Sequence, residues 1–155
     1  MEPDLQVYID KYACRYFIEN DTKEGEVLNF ALRSTFVRLY ALNRNARSVE
    51  AHKTRFQYND RVQIFTWTHQ DSWDELVRLI PVEQPSVFWL HSSELLSDAI
   101  HSISRLRPMH RDILFVDPGL QRGAALAIKR FFGGTHCVSE EYAPLLLLKP
   151  EKLGR

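Results

Sequence analysis

DILFVDPGLQRGAALAIKRFF, Asp112–Phe132, decides the fold. Ile113–Val116 is a short apolar run that stops at Asp117, and Pro118-Gly119 breaks the chain at once. An apolar run of that length, closed by a turn signal, is the pattern of a strand buried on both faces. Leu120, Ala124, Ala127, Ile128 and Phe131 then recur at three- and four-residue spacing, which predicts a helix over Leu120–Phe132 with one apolar face. Gly133-Gly134 supplies its stop. Strand, sharp turn and helix make half of a parallel crossover unit.

The same grammar runs back to Arg61. Val62–Trp67 reads as a strand, and a helix over Trp73–Ile80 follows, capped by Asp71 or Ser72. Ser86–His91 is the next strand, Glu94–Leu106 the next helix, and Leu145–Lys149 the last apolar strand. Before Arg61 the pattern is less regular. Leu5–Ile18 is rich in aromatic and β-branched residues and reads as a strand or hairpin arm, with a helix as the alternative. Glu19–Glu24 is a polar turn, and Glu26–Asn43 reads as one long helix with a wide apolar surface. Residues 44–60 are polar and basic, an extended arm or an exposed hairpin. The expected class is α/β: a mostly parallel sheet of about four to five strands flanked by helices, with an antiparallel N-terminal edge strand or hairpin as an addition. One domain over residues 1–155 is expected, with residues 1–60 packed on a 61–150 core.

With 20 basic and 20 acidic residues, net charge selects no class of partner. Its distribution does more. Residues 33–61 carry seven bases (Arg33, Arg38, Arg44, Arg47, Lys53, Arg55 and Arg61) against two acids, Glu50 and Asp60. Cys14 and Cys137 have no metal-like spacing and suit free thiols in a reducing compartment. No leader and no apolar run of membrane-spanning length is read, so the cytoplasm is the expected setting.

The carboxyl ends of the predicted strands offer His69, His91, Ser92, Ser93, Asp117 and Lys149, where open parallel sheets carry their sites. No phosphate loop, dinucleotide glycine pattern, HxH, HExxH, CxxC or GxSxG occurs, so neither cofactor nor metal is expected, and helix capping accounts for the serines. Trp67, Trp73 and Trp89 read as core or interface residues.

Three resemblances bear on function. Ile113–Gly119 looks like the first strand of RuvC-type nucleases, in which the aspartate holds a metal. Arg122–Ala127 is similar to the acetyl-CoA loop of GNAT acyltransferases, with Ala125 where glycine is usual. Residues 61–150 resemble, in element order, the SulA family of cell-division inhibitors and their P-loop-less RecA-like relatives. RVQIFTW, AIHSISRLRP, DILFVD and LLLLKP carry that likeness. It implies a bacterial or phage-encoded regulator that inhibits a partner protein without catalysis.

The expected function is accordingly a non-catalytic protein-binding module. Its contact surface is the long helix 26–43 together with the basic segment, with Arg44, Arg47, Lys53, Arg55, Phe56 and Tyr58 as contact residues. Another protein is the expected partner, a homodimer is a further assembly, nucleic acid ranks below protein, and no membrane is expected. The alternatives are a small enzyme (hydrolase, nuclease or acyltransferase) working at the strand ends around Asp117, or a nucleic-acid binder using residues 33–61.

Overall fold

The computed structural model describes residues 3–22, 25–67, 70–91, 96–107, 112–116, 120–132 and 145–147. Six strands form one sheet: β1 (Tyr16–Glu19), β2 (Arg38–Asn43), β3 (Val62–Thr66), β4 (Ser86–Leu90), β5 (Ile113–Val116) and β6 (Leu145–Leu147). Their order is β3-β2-β1-β4-β5-β6, with the first five parallel and β6 antiparallel to β5. The α/β class and the mainly parallel sheet are therefore as expected. The antiparallel edge lies at β6, not at the N terminus.

The helices are α1 (Pro3–Lys11), α2 (Glu26–Leu32), α3 (Ala46–Arg55), α4 (Gln70–Arg78), α5 (Leu96–Leu106) and α6 (Gln121–Phe132). Successive strand residues point to opposite faces. Ile18, Phe88, Leu90, Leu114 and Val116 meet Trp73, Ile100 and Ile128 of α4–α6 on one side. Phe17, Val87, Trp89 and Phe115 meet Ile9, Leu28 and Val49 of α1–α3 on the other. Both faces are covered, which is why the strands read as continuous apolar runs.

Three expectations for the first 60 residues need correction. Leu5–Ile18 is not a strand or hairpin. Its first part is α1, in which Ile9 is buried while Val7 faces solvent, and only Tyr16–Ile18 enters β1. Ala13 ends α1 in the left-handed region at φ 52°, with Cys14 N–H bonded back to the Ile9 carbonyl. Glu26–Asn43 is not one helix. α2 stops at Leu32, and β2 runs buried through Leu39–Asn43 between β1 and β3. A strand apolar on both faces has no period of its own and can satisfy a helical spacing by chance. Residues 44–60 are not an extended arm, because Asn45 starts α3 by accepting hydrogen bonds from the N–H groups of Arg47 (2.9 Å) and Ser48 (3.1 Å). Asn45→Ala should lower stability by about 1 kcal/mol, read as a shift of the urea midpoint at constant slope. Residues 1–60 thus supply two strands of the sheet rather than a layer packed on it.

On the far side, Asp74 of α4 meets Ser102 and Arg105 of α5. Burial pushes its carboxyl up, but hydrogen bonds from Ser102 and Arg105, with the Arg105 and Arg78 charges, outweigh burial and hold it below its ordinary 3.8. A depressed folded-state value contributes stability above pH 3.8 that is lost as pH falls through the folded value. Acid unfolding followed by circular dichroism should show a shallower loss in Asp74→Asn than in the parent over that range. Identical acid limbs would remove Asp74 from the account.

Candidate functional site

The sheet reverses its order between β1 and β4, because β1 connects through α2 to β2 on one side while β4 connects through α5 to β5 on the other. Ligands bind such sheets at the carboxyl edge of that switch point. The chain leaving β1 spreads to both neighbours there. Asn20 N–H donates to the Trp89 carbonyl at 3.1 Å, and Asn20 Oδ1 accepts from His91 N–H at 2.6 Å. Two residues later Thr22 N–H donates to the Leu42 carbonyl at 2.8 Å, and the Thr22 carbonyl accepts from Asn43 Nδ2. Gly25, at φ +84°, then turns the chain into α2. A side chain there would be strained by that φ, and its Cβ would stand 2.6 Å from Arg55 Nη1 of α3.

At this edge Glu19, the last residue of β1, meets His91, the first residue after β4. Glu19 Oε2 lies 2.7 Å from His91 Nε2, and both side chains are buried, 2% and 7% exposed. A carboxylate accepts, so in the pair with a Glu19 carboxylate the ring donates through Nε2–H. The His91 ring stacks on Trp89 at 5.7 Å, and Trp89 packs on Phe115 at 3.8 Å.

Among the described residues, three buried polar atoms at the same edge have no hydrogen-bond partner: Glu19 Oε1, Asn20 Nδ2 and Thr22 Oγ1. Each costs about 1–3 kcal/mol when left unpaired, and such atoms call for a specific explanation. Here an acceptor and two groups able to donate fall within four consecutive residues at the switch point. That set matches a ligand carrying both an ammonium and a carboxylate. The end of β2 offers less. Asn43 stands where dinucleotide-binding sheets place a ribose-binding acid, and its amide is engaged on both sides, by the Thr22 carbonyl and by Asn45 N–H at 2.8 Å. Among the described residues no group of three His, Cys, Asp or Glu side chains could hold a metal ion.

Of the strand-end residues expected from sequence, His91 is at this site. His69, Ser92, Ser93, Asp117 and Lys149 lie outside the described residues. The basic contact residues are elsewhere, on and around α3. Arg44, Arg47, Lys53, Arg55 and Tyr58 are exposed, whereas Phe56 is buried in the core and carries the Arg55 guanidinium 5.2 Å above its ring. Sequence reading missed Glu19, Asn20 and Thr22. The available signal was an acid closing a short apolar run, Tyr16–Glu19, followed by a glycine six residues on at Gly25. Cys14 is buried on the α1 side, and burial first, then the Asp112 charge, push its thiol up, which suits a structural thiol rather than a nucleophile.

No sequence-family model matches the chain, and no curated protein matches it. Solved structures do. The methyltransferase domain of bacterial CtHen1 shares the fold at a TM-score of 0.56 and 10% identity, over 83% of this chain and 81% of that one. A Pseudomonas syringae protein described as a methyltransferase gives 0.53 and 13%, over 86% and 85%. The 23S rRNA methyltransferase ErmE gives 0.53 and 9% over 79% of this chain, which spans only 49% of ErmE. These likenesses overturn the SulA resemblance. It rested on element order within residues 61–150, whereas β1, at the centre of the sheet, precedes them. The RecA-like, regulatory and inhibitory expectations lose their ground with it, as does the non-catalytic binding module. No described helix is long and apolar enough to cross a membrane. In fold, the chain is a Rossmann-like α/β domain of the kind these methyltransferases share.

Proposed function

We propose that this chain is a small methyl-transferring enzyme working at the switch point, with Glu19 and His91 as its proton-handling pair. The observation that carries the reading is the buried 2.7 Å Glu19–His91 contact beside three polar atoms that are unpaired among the described residues, on a sheet of methyltransferase type. S-adenosylmethionine, the general methyl donor, fits this site at its amino-acid end. Glu19 Oε1 would accept from the ammonium, while Asn20 Nδ2 and Thr22 Oγ1 would donate to the carboxylate. Its ribose would find no carboxylate at the end of β2, so the amino-acid end is where this chain holds the donor. When bound, the donor supplies an electrophilic methyl group.

The remaining work belongs to the protein. His91 takes the proton from the group to be methylated, and Glu19 fixes the ring and balances the charge it gains, a contribution of about 10²–10⁴-fold in rate. Trp89 and Phe115 back the imidazole with apolar surface, which keeps the Glu19–His91 attraction from being screened by water. A cytoplasmic setting belongs to this reading and suits the free thiol of Cys14.

Titration calorimetry tests the proposal. S-adenosylmethionine and S-adenosylhomocysteine should give saturable heat in the micromolar range, whereas ATP should give none, because the sequence carries no phosphate loop. Absence of saturation by both adenosyl ligands at about 1 mM, a free energy near 4 kcal/mol, would refute the methyl-transfer reading.

A further inference from the structure

Beside the switch point a cleft of 350 Å³ runs along α2, lined by Glu26, Val27, Asn29, Phe30, Arg33 and Trp89. We propose that it binds a small aromatic acid that also carries a hydroxyl group, with the carboxylate at Arg33 and the hydroxyl toward the Glu19–His91 edge. The inference names a substrate class for the site and rests on the reading of Glu19–His91 as the reaction centre.

The polarity of the cleft follows from the topology. α2 starts where β1 ends, at the carboxyl edge, and descends toward the start of β2. Glu26 therefore lies at the edge that holds Glu19 and His91, and Arg33 lies at the far end, about 10 Å away at 1.5 Å per residue. Glu26, Asn29, Phe30 and Arg33 stand at i, i+3, i+4 and i+7, one face of the helix. That face puts an aromatic side chain between an acid and a base.

Trp89 forms the opposite wall, and its indole is continuous with the imidazole of His91, stacked at 25° between the ring planes. A flat ring held by Phe30 and Trp89 thus lies one ring away from the proposed base. Arg33 is exposed, and among the described residues its guanidinium makes no ion pair and no hydrogen bond. It is a fork-shaped donor suited to a carboxylate. Glu26 lines the other end of the cleft, which turns the ligand's carboxylate toward Arg33 and leaves its hydroxyl at the Glu26 end. The two ends fix one direction for the ligand, and that direction delivers the hydroxyl to the edge where a proton can be taken.

The intact protein reports on this cleft by fluorescence, because Trp67 and Trp73 lie on the opposite face of the sheet. The probes are 4-hydroxybenzoate and its methyl ester, which keeps ring and hydroxyl and removes the charge. The acid should quench emission saturably, and Trp89→Phe should abolish the quench. Arg33→Gln and the methyl ester should each weaken binding about tenfold or more, the loss expected for one charge-assisted contact. Equal binding of acid and ester, no effect of Arg33→Gln, or no saturation at about 10 mM acid would each overturn the assignment. Binding of 4-hydroxybenzoate without binding of S-adenosylmethionine would keep the cleft and sink the methyl-transfer reading. The converse would keep methyl transfer and sink the cleft.

Discussion

Replacing Arg107 with methionine should cost the fold about 3–5 kcal/mol. Arg107 is 1% exposed and follows α5 on the edge opposite the site. Its guanidinium grips Asp112 with both arms, Nε to Oδ2 at 2.8 Å and Nη2 to Oδ1 at 2.9 Å. The same group donates to the carbonyls of Ile80 and Pro81 at 3.3 Å, to the Gln84 carbonyl, and to Ser86 Oγ at 3.3 Å. Asp112 in turn accepts from Ser86 N–H at 3.0 Å. One buried ion pair thus closes the α4–β4 loop and sets the starts of β4 and β5. Methionine fills much of the volume but leaves the Asp112 carboxylate buried without its guanidinium, and takes the Arg107 donors from the carbonyls of Ile80, Pro81 and Gln84. Adding Asp112→Asn should restore part of the loss, because no isolated charge then remains. The urea midpoint at unchanged slope measures both. A loss below about 1 kcal/mol for Arg107→Met would show that water or relaxation replaces the clamp.

At the other edge of the sheet, Glu19→Gln should weaken S-adenosylhomocysteine binding by about 1.5–3 kcal/mol, roughly ten- to a hundredfold. The substitution keeps the shape and an acceptor for His91 Nε2–H but removes the charge that the ligand ammonium would meet. Stability should change by no more than about 1 kcal/mol, and it can rise, because a buried charge has been removed. Unchanged affinity in a folded Glu19→Gln protein would mean that Oε1 is not where the ligand binds. Comparable losses in Arg107→Met would mean that the effect is one of folding, not of the site.

What could be read from sequence divides at Arg61. Beyond it, the expected strands at Val62, Ser86 and Ile113 and the helices at Trp73, Glu94 and Leu120 fall within a few residues of β3, β4, β5, α4, α5 and α6. Those segments alternate cleanly, and Pro81, Pro85 and the Pro118-Gly119 pair separate them. Before Arg61 the local signals conflict with the packing. Tyr8, Tyr12 and Tyr16 have β-forming side chains, yet the chain around the first two is helical up to Lys11. Between Leu32 and Arg38 the chain reads Arg33-Ser34-Thr35-Phe36-Val37, with neither proline nor glycine to mark the end of α2, so helix and strand run together as one apolar pattern. The site suffered from the same merging. His91 was legible because it ends an evident strand. Glu19 was not, because β1 could not be recognised as central until β2 was separated from α2. The unpaired atoms of Asn20 and Thr22 follow from three strands meeting, which no single stretch encodes.

The most direct test is histidine side-chain NMR during titration with S-adenosylhomocysteine. His91 sits on Glu19 at the switch point, whereas His52 is bonded to the Ser48 carbonyl on α3 and His101 stacks on Phe131 between α5 and α6. The account predicts that the His91 resonance moves and saturates with the ligand while those of His52 and His101 stay in place. Saturation by the ligand with an unmoved His91 would contradict it.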